Sequence, residues 1–109
     1  MNMGWIRHHG IVVTSELRDE LKAAHAKAVS IFPAVSPIVD GVVNNSGSFF
    51  VPPDGSKEGW QESKNGDSQR DAFVEYLRSS PMDWIEYEFD CDNGEARIKR
   101  ASVQPTGDE

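Results

Sequence analysis

The sequence predicts an α+β fold, a two-layer sandwich in which two helices pack on one face of an antiparallel sheet. Three observations lead to this class: two segments with apolar residues at helical spacing, several short β-rich segments around them, and turns that contain Asn and Gly. The predicted order is β-α-β-β-α-β-β. We expect a ferredoxin-like topology with one added strand, and the alternative keeps the helices but reorders the strands.

Length and composition fit one small domain. The chain has 109 residues, of which 38% are hydrophobic and 27% charged, a typical globular composition. We expect a single α+β domain over residues 1–102 and a flexible C-terminal tail over 103–109. No apolar run approaches the length of a membrane span, and no secretory signal is expected. The single cysteine, Cys91, rules out an internal disulfide and fits a cytosolic setting.

The first predicted strand is the Ile- and Val-rich segment from Trp5 to Thr14, and apolar residues on both of its faces favour a central position. Thr14 and Ser15 then form the predicted N-cap of a helix of about four turns. That helix ends near Phe32 because Pro33 follows it. Its buried stripe is predicted to contain Leu17, Leu21, Ala24, Ala28 and Ile31.

The middle of the chain predicts a hairpin and a long connection. The segments Val35 to Val43 and Ser48 to Val51 flank Asn44 to Gly47, whose residues tolerate the positive φ angles of a hairpin turn. Residues Pro52 to Gly66 are irregular, and loops of that length are usually functional or disordered. Asp67 and Ser68 are then predicted to cap a second helix, which buries Phe73 and Leu77 and ends before Pro81.

The last segment predicts a second hairpin. Asn93-Gly94 is the preferred pair for a two-residue type I′ turn. Folding the flanks about that turn sets apolar residues opposite one another on one face and opposite charges on the other. The expected pairs are Phe89 with Ile98, Glu88 with Lys99, and Asp90 with Arg97.

Candidate binding residues lie on the first strand. Arg7 and His9 share a face with Trp5, and we expect that face to be open. An Arg, a His and an indole on one face could hold an anion and a planar group, as in a nucleotide. The alternative is that Trp5 packs in a subunit contact while Arg7 and His9 are solvated. His8 points to the opposite face, so the two histidines cannot share one site.

The loop from Asp54 to Trp60 is the second candidate, and its Trp must pack either on the core or on a ligand. Phe49 and Phe50 precede it on opposite faces of their strand. If this loop closes over a ligand beside Arg7, the two regions must be neighbours. The predicted ligand-binding residues are therefore Arg7, His9, Phe49, Phe50, Ser56, Lys57 and Trp60.

No catalytic or metal constellation is apparent. The serines occupy predicted caps and turns, and no nucleophile-elbow sequence accompanies them. Metal-ligand spacings of His and Cys are missing as well. We therefore expect no metal and no cofactor, and the sequence favours a protein that is not an enzyme.

Five segments together resemble a family of small uncharacterised proteins of tailed bacteriophages and prophages. They are Met3 to His9, Ile11 to Ser15, Val35 to Val39, Ser48 to Trp60 and Asp83 to Glu86. The resemblance carries over no catalytic residue. It implies location in the cytoplasm of an infected bacterium and a host-directed role such as counter-defence.

The leading hypothesis is a non-enzymatic binding protein that sequesters a nucleotide-type small molecule. One alternative is an acidic inhibitor of a host protein, since the formal net charge of −7 suits a basic protein surface. That charge also argues against direct binding to nucleic acid, which depends on clustered Lys and Arg. A second alternative is a small histidine-dependent phosphodiesterase.

We expect no membrane association. We also expect a homodimer, or a helix or loop of the same chain, to cover the face that carries Ile11 and Val13.

Overall fold

The computed structural model describes residues 6–104, which form an α+β two-layer sandwich of five strands and two helices. The order of elements is the predicted one. The bounds are β1 Arg7–Ser15, α1 Arg18–Ile31, β2 Val39–Asp40, β3 Gly47–Val51, α2 Gln61–Arg78, β4 Asp83–Asp90 and β5 Glu95–Ala101. Trp5 and the part of the predicted tail beyond residue 104 lie outside the described residues.

The sheet has the strand order β2-β3-β1-β4-β5, and every neighbouring pair is antiparallel. Its first four strands have the order of a ferredoxin-like fold, with β1 in the centre between β3 and β4. The fifth strand extends the sheet beyond β4. This arrangement confirms the predicted fold, including the added strand and the central position of the first strand.

The core lies between the helices and one face of the sheet. Leu21, Ala24 and Ala28 of α1 are fully buried there, which confirms the predicted stripe at these positions. Leu17 instead is 49% exposed, because it precedes the first helical residue. The sheet contributes Ile11, Val13, Phe49, Val51 and Trp84, and α2 contributes Phe73, Val74 and Leu77. Helices of the same chain thus cover the face that carries Ile11 and Val13.

The expected open position of Arg7 and His9 is wrong. Alternate residues of a strand share a face, so Arg7 and His9 lie on the same side as Ile11 and Val13, which the helices cover. His9 is only 8% exposed. The opposite side of the sheet, here called the open face, carries His8, Gly10, Val12 and Thr14 of β1 and their cross-strand partners Ser48, Phe50, Asp83, Ile85, Tyr87 and Phe89.

Helix α2 begins at Gln61, several residues before the predicted caps Asp67 and Ser68. The connection from β3 is correspondingly shorter than expected. The early turns of α2 bury small and polar residues rather than apolar ones, including Ser63, Gly66 and Arg70. The first turns of α2 therefore lack the apolar spacing that predicts a helix, although several of their residues are buried.

The β4–β5 hairpin exists, but its predicted turn and register are wrong. Asp90 pairs with Glu95, so the loop has four residues, Cys91 to Gly94, and the register sets Phe89 opposite Ala96 and Glu88 opposite Arg97. The Asp90 carboxylate accepts hydrogen bonds from the backbone amides of Asp92 and Asn93, at 3.2 and 3.3 Å. Those bonds stabilise a loop longer than a type I′ turn.

The β2–β3 hairpin confirms the predicted turn but contains a much shorter first strand. Asn44 and Asn45 both have positive φ, at 60° and 58°. The Ser46 amide donates to the Val43 carbonyl across this turn at 3.3 Å. Only Val39 and Asp40 form β2. Ser36 lies before β2 and outside any strand. Its hydroxyl nevertheless accepts a hydrogen bond from the Phe50 amide at 2.9 Å, as the carbonyl of a neighbouring strand would.

Candidate functional site

A cavity of about 220 Å³ opens on the helix side of the sheet, at the end where β1 begins. Two chain segments form its apolar wall: the turn after α1 and the turn after β3. The wall residues are Phe32, Pro33, Ala34, Val51, Pro52 and Pro53. Polar side chains of β1, α2 and the loop after β3 also line the cavity, and these are His9, Asp54, Gln69 and Arg70.

His9 is held between two carboxylates. Its Nε2 atom lies 3.1 Å from Oε2 of Glu58, and its Nδ1 atom lies 3.9 Å from Oε1 of Glu88. The Nδ1 atom is buried and has no hydrogen-bond partner. Glu58 belongs to the loop after β3, and Ile6 forms a β-bridge with Lys57 of the same loop. The expected proximity of this loop and the first strand is therefore confirmed.

Asp54 is anchored by Ser56. The Ser56 hydroxyl and backbone amide donate to Oδ1 of Asp54, at 2.7 and 2.9 Å. Burial alone raises the pKa of Asp54, but these hydrogen bonds and the charges of Arg70 and His9 outweigh it, so the pKa is lower than usual. The cavity thus contains a fixed carboxylate, and the Ser56 hydroxyl already has a protein partner.

Arg70 connects the cavity with a buried ionic network. Its guanidinium contacts Asp67 one turn earlier on α2, and its Nε lies 3.5 Å from Oε2 of Glu86. Glu86 is fully buried on β4. The other oxygen of Glu86 accepts from Nε of Arg100 on β5 at 2.5 Å. Two arginines from different elements therefore compensate one buried carboxylate, which fixes the position of Arg70.

Arg7 lies beside this network and faces acidic groups. Its guanidinium is 3.7 Å from Glu88 and 3.6 Å from Asp90. Neighbouring carboxylates offset a positive charge and repel an anionic ligand. The surroundings of Arg7 consequently suit a phosphate group less well than the sequence suggests.

The remaining predicted ligand residues do not converge on the cavity. Phe49 is 2% exposed in the core, where it meets His25 edge to face at 5.1 Å. Phe50 is 42% exposed on the open face. Trp60 immediately precedes α2 and is 45% exposed, with Nζ of Lys57 5.9 Å from its ring centre. The loop tryptophan therefore packs on neither the core nor the cavity wall.

No protein-family model, curated protein or solved structure matched the chain. The resemblance to phage proteins accordingly stays an expectation based on sequence motifs.

Over residues 6–104, no group of three or more His, Cys, Asp and Glu side chains is arranged to hold a metal ion. The two described helices are also not long and apolar enough to cross a membrane.

Several cavity residues were missed by the sequence reasoning. Gln69 and Arg70 belong to a helix whose apolar pattern says nothing about its polar face. A usable signal was present in the prolines, since Pro33 follows α1 after one residue and Pro52 and Pro53 directly follow β3. Because β3 is antiparallel to β1, with Val51 opposite Ile11, the end of β3 had to lie near the start of β1.

Proposed function

We propose that this chain is a non-enzymatic binding protein that holds one small planar molecule in the cavity between His9, Asp54 and α2. One observation carries the proposal: a single cavity is lined both by a continuous set of apolar residues and by four polar side chains. Cavities of this kind, with a few convergent polar groups, are the usual form of small-molecule sites.

The size of the cavity restricts the ligand. Its volume is about 220 Å³. Sites for drug-sized ligands occupy about 300–1,000 Å³. The cavity therefore suits one heterocyclic ring system, such as a nucleobase, and is too small to enclose a whole nucleotide.

The chemistry of the lining supports the same class. Phe32 and the prolines offer flat apolar surface for the faces of a ring. Among the polar lining residues, the Asp54 carboxylate accepts hydrogen bonds, Arg70 donates them, and the Gln69 amide does both. Such a mixture fits the hydrogen-bonding edge of a nucleobase. A phosphate group would instead meet the carboxylate of Asp54 and, farther along, those of Glu58 and Glu88.

Sequestration is better supported than catalysis. A histidine that acts as a general acid or base must reach the substrate with one ring nitrogen. In this site Nε2 of His9 contacts Glu58, and Nδ1 is buried out of reach of a substrate. The Ser56 hydroxyl donates its hydrogen bond to Asp54. The Ser56 hydroxyl is therefore not hydrogen-bonded to His9, as a nucleophile would be to its general base. The phosphodiesterase alternative therefore has less support than binding, and the host-directed, counter-defence role in a bacterial cytoplasm continues to rest on the resemblance alone.

Isothermal titration calorimetry with free nucleobases, nucleosides and nucleoside monophosphates tests this proposal. We expect at least one base or nucleoside to bind, and its monophosphate to bind more weakly. Gln69→Leu should weaken binding by about tenfold or more, since a buried ligand group loses its partner. Gln61→Leu, at an exposed position of the same helix, is the matched control and should bind as the parent does.

Two results would contradict the proposal. One is a lack of heat with every base and nucleoside in the set. The other is binding that Gln69→Leu and Gln61→Leu affect equally, which would place the ligand outside the cavity.

A further inference from the structure

The open face of the sheet is apolar across its centre. Cross-strand pairing places Val12 between Phe50 and Ile85, and Gly10 beside Tyr87, which in turn pairs with Ile98. Both helices pack on the other side. Among residues 6–104, Phe50 is 42% exposed, Phe89 46% and Ile98 44%. Single exposed apolar residues are ordinary, but a contiguous patch of this kind marks an interaction surface.

Charge is nearly missing from this face. The chain contains 18 acidic and 11 basic residues, yet the paired open-face positions carry a single acidic side chain, Asp83, at the beginning of β4. A partner chosen by electrostatic complementarity would meet charged side chains here. A second copy of an acidic chain, by contrast, needs a surface without charge, because like charges across a two-fold interface repel each other.

The β5 edge of the sheet, unlike the open face, carries several charged residues. The outer strand β5 carries Arg97, Lys99 and Arg100. Charged residues on an edge strand, lysine above all, oppose the addition of a further strand. Pairing of two copies through β5 is therefore disfavoured, while packing of two sheets face to face is not.

The face also contains both a projection and a recess. Phe50 projects beside Val12, its cross-strand partner. A groove of about 260 Å³ lies on the other side of Val12, lined by Ile85 and Val103 among others. A two-fold interface uses the same patch twice, so the patch must be complementary to itself. A projection and an apolar recess on one surface meet that requirement.

The area is large enough for a weak to moderate dimer. The five strands contain 31 residues in all, and with a rise of about 3.3 Å for each residue and a strand spacing of about 4.8 Å they give a face of roughly 500 Å². Stable interfaces bury about 800 Å² on each partner, and weaker ones bury less. Aromatic side chains that project from the sheet add to the flat area.

We propose that a second copy of this chain covers the open face, with the two sheets packed face to face about a two-fold axis. The resulting dimer has four layers, with the sheets inside and the helices outside. The cavity with His9 and Asp54 lies on the helix side of each sheet. Dimerisation therefore leaves both cavities accessible, and it is independent of the proposed binding function.

Analytical ultracentrifugation over a range of concentrations tests the dimer. We expect the parent chain to be dimeric at tens of micromolar, in keeping with the modest area. Phe89→Glu should raise the dimer dissociation constant by about a hundredfold, because it buries a charge against an apolar face. Phe50→Glu is an independent second variant with the same expected shift. Val29→Glu replaces an exposed apolar residue on α1 and should leave the constant unchanged.

Circular dichroism of each variant establishes that it is folded, and either folded open-face variant suffices for the test. A parent chain that stays monomeric up to about 100 µM, well above the dissociation constants of specific dimers, would overturn the proposal and would favour a different protein or a terminal segment as the cover. A dimer that persists unchanged in a folded open-face variant would overturn it too, because the contact would then lie elsewhere.

Discussion

The ring of Tyr87 lies directly over Gly10, so that a Cβ atom added to residue 10 would come within 2.2 Å of the phenol oxygen. The two residues are cross-strand partners on β1 and β4. The ring also packs against Phe89, with ring centres 5.2 Å apart. Glycine at position 10 thus allows an aromatic side chain to lie flat on the open face, and the resulting burial raises the pKa of Tyr87.

The first prediction concerns this contact. Gly10→Ala should move the Tyr87 ring off the sheet into solvent, since the far end of the side chain can rotate away. The pKa of Tyr87 should then fall toward its ordinary value of about 10. Ultraviolet titration in a Tyr76→Phe background measures Tyr87 alone, because the chain has two tyrosines. An unchanged titration curve would show that the ring does not depend on Gly10.

The second prediction concerns the β4–β5 loop. Gly94 has a φ of +65°, and no atom lies within 4 Å of the place where its Cβ would be. Any cost of substitution must therefore come from the backbone. Gly94→Val should destabilise the chain by more than about 1 kcal/mol, whereas Gly94→Asn should cost less because Asn tolerates this conformation. Urea unfolding measures both, and equal costs for the two variants would be inconsistent with a left-handed residue 94.

The fold could be predicted largely because its main signals are local. The spacing of Leu21, Ala24 and Ala28 depends only on the helical repeat, and Asn44 and Asn45 indicate a turn on their own. The register of the last hairpin could not be predicted in the same way. Asn93-Gly94 favours a two-residue turn, but the Asp90 carboxylate binds the loop amides. A side chain just outside the expected turn therefore decides the loop length.

The candidate site was less predictable than the fold. His9 was identified, but its strand face was assigned wrongly, because both faces of β1 carry apolar residues and only the packing of the helices distinguishes them. The burial of Arg70 and Glu86 could not be predicted from the sequence either, because charged residues are almost never buried unless they are paired. Their pairing joins α2 to β4, and no local pattern reports a contact between distant elements.

The third prediction compares two arginines with different environments. Arg70→Ala leaves the buried Glu86 with one cation instead of two, and it should destabilise the chain by about 3 kcal/mol. Arg97 also bonds a buried carboxylate, Glu88, at 2.8 Å, but its own side chain is 57% exposed. Arg97→Ala should therefore cost no more than about 1 kcal/mol. Chemical denaturation measures the free energy of unfolding of both variants. Similar losses of stability would mean that the exposure of the arginine does not control what its ion pair contributes.

The last prediction concerns Asp54 and its dependence on pH. The folded chain lowers the pKa of this carboxyl, mainly because the hydrogen bonds from Ser56 outweigh the effect of burial. The unfolded state then binds the proton more tightly than the folded state does. The stabilisation from Asp54 is consequently present above its unfolded pKa of about 3.9 and is lost as the pH falls through the lower folded value.

Ser56→Ala removes the hydroxyl donor and should raise the folded pKa of Asp54, as measured from its carboxyl resonance by NMR. Ser68→Ala, at an exposed position of α2, should leave that pKa where it is. If Ser56→Ala also leaves it unchanged, the Ser56 hydroxyl is not bonded to Asp54 in solution, and it is then available to a ligand as the sequence first suggested.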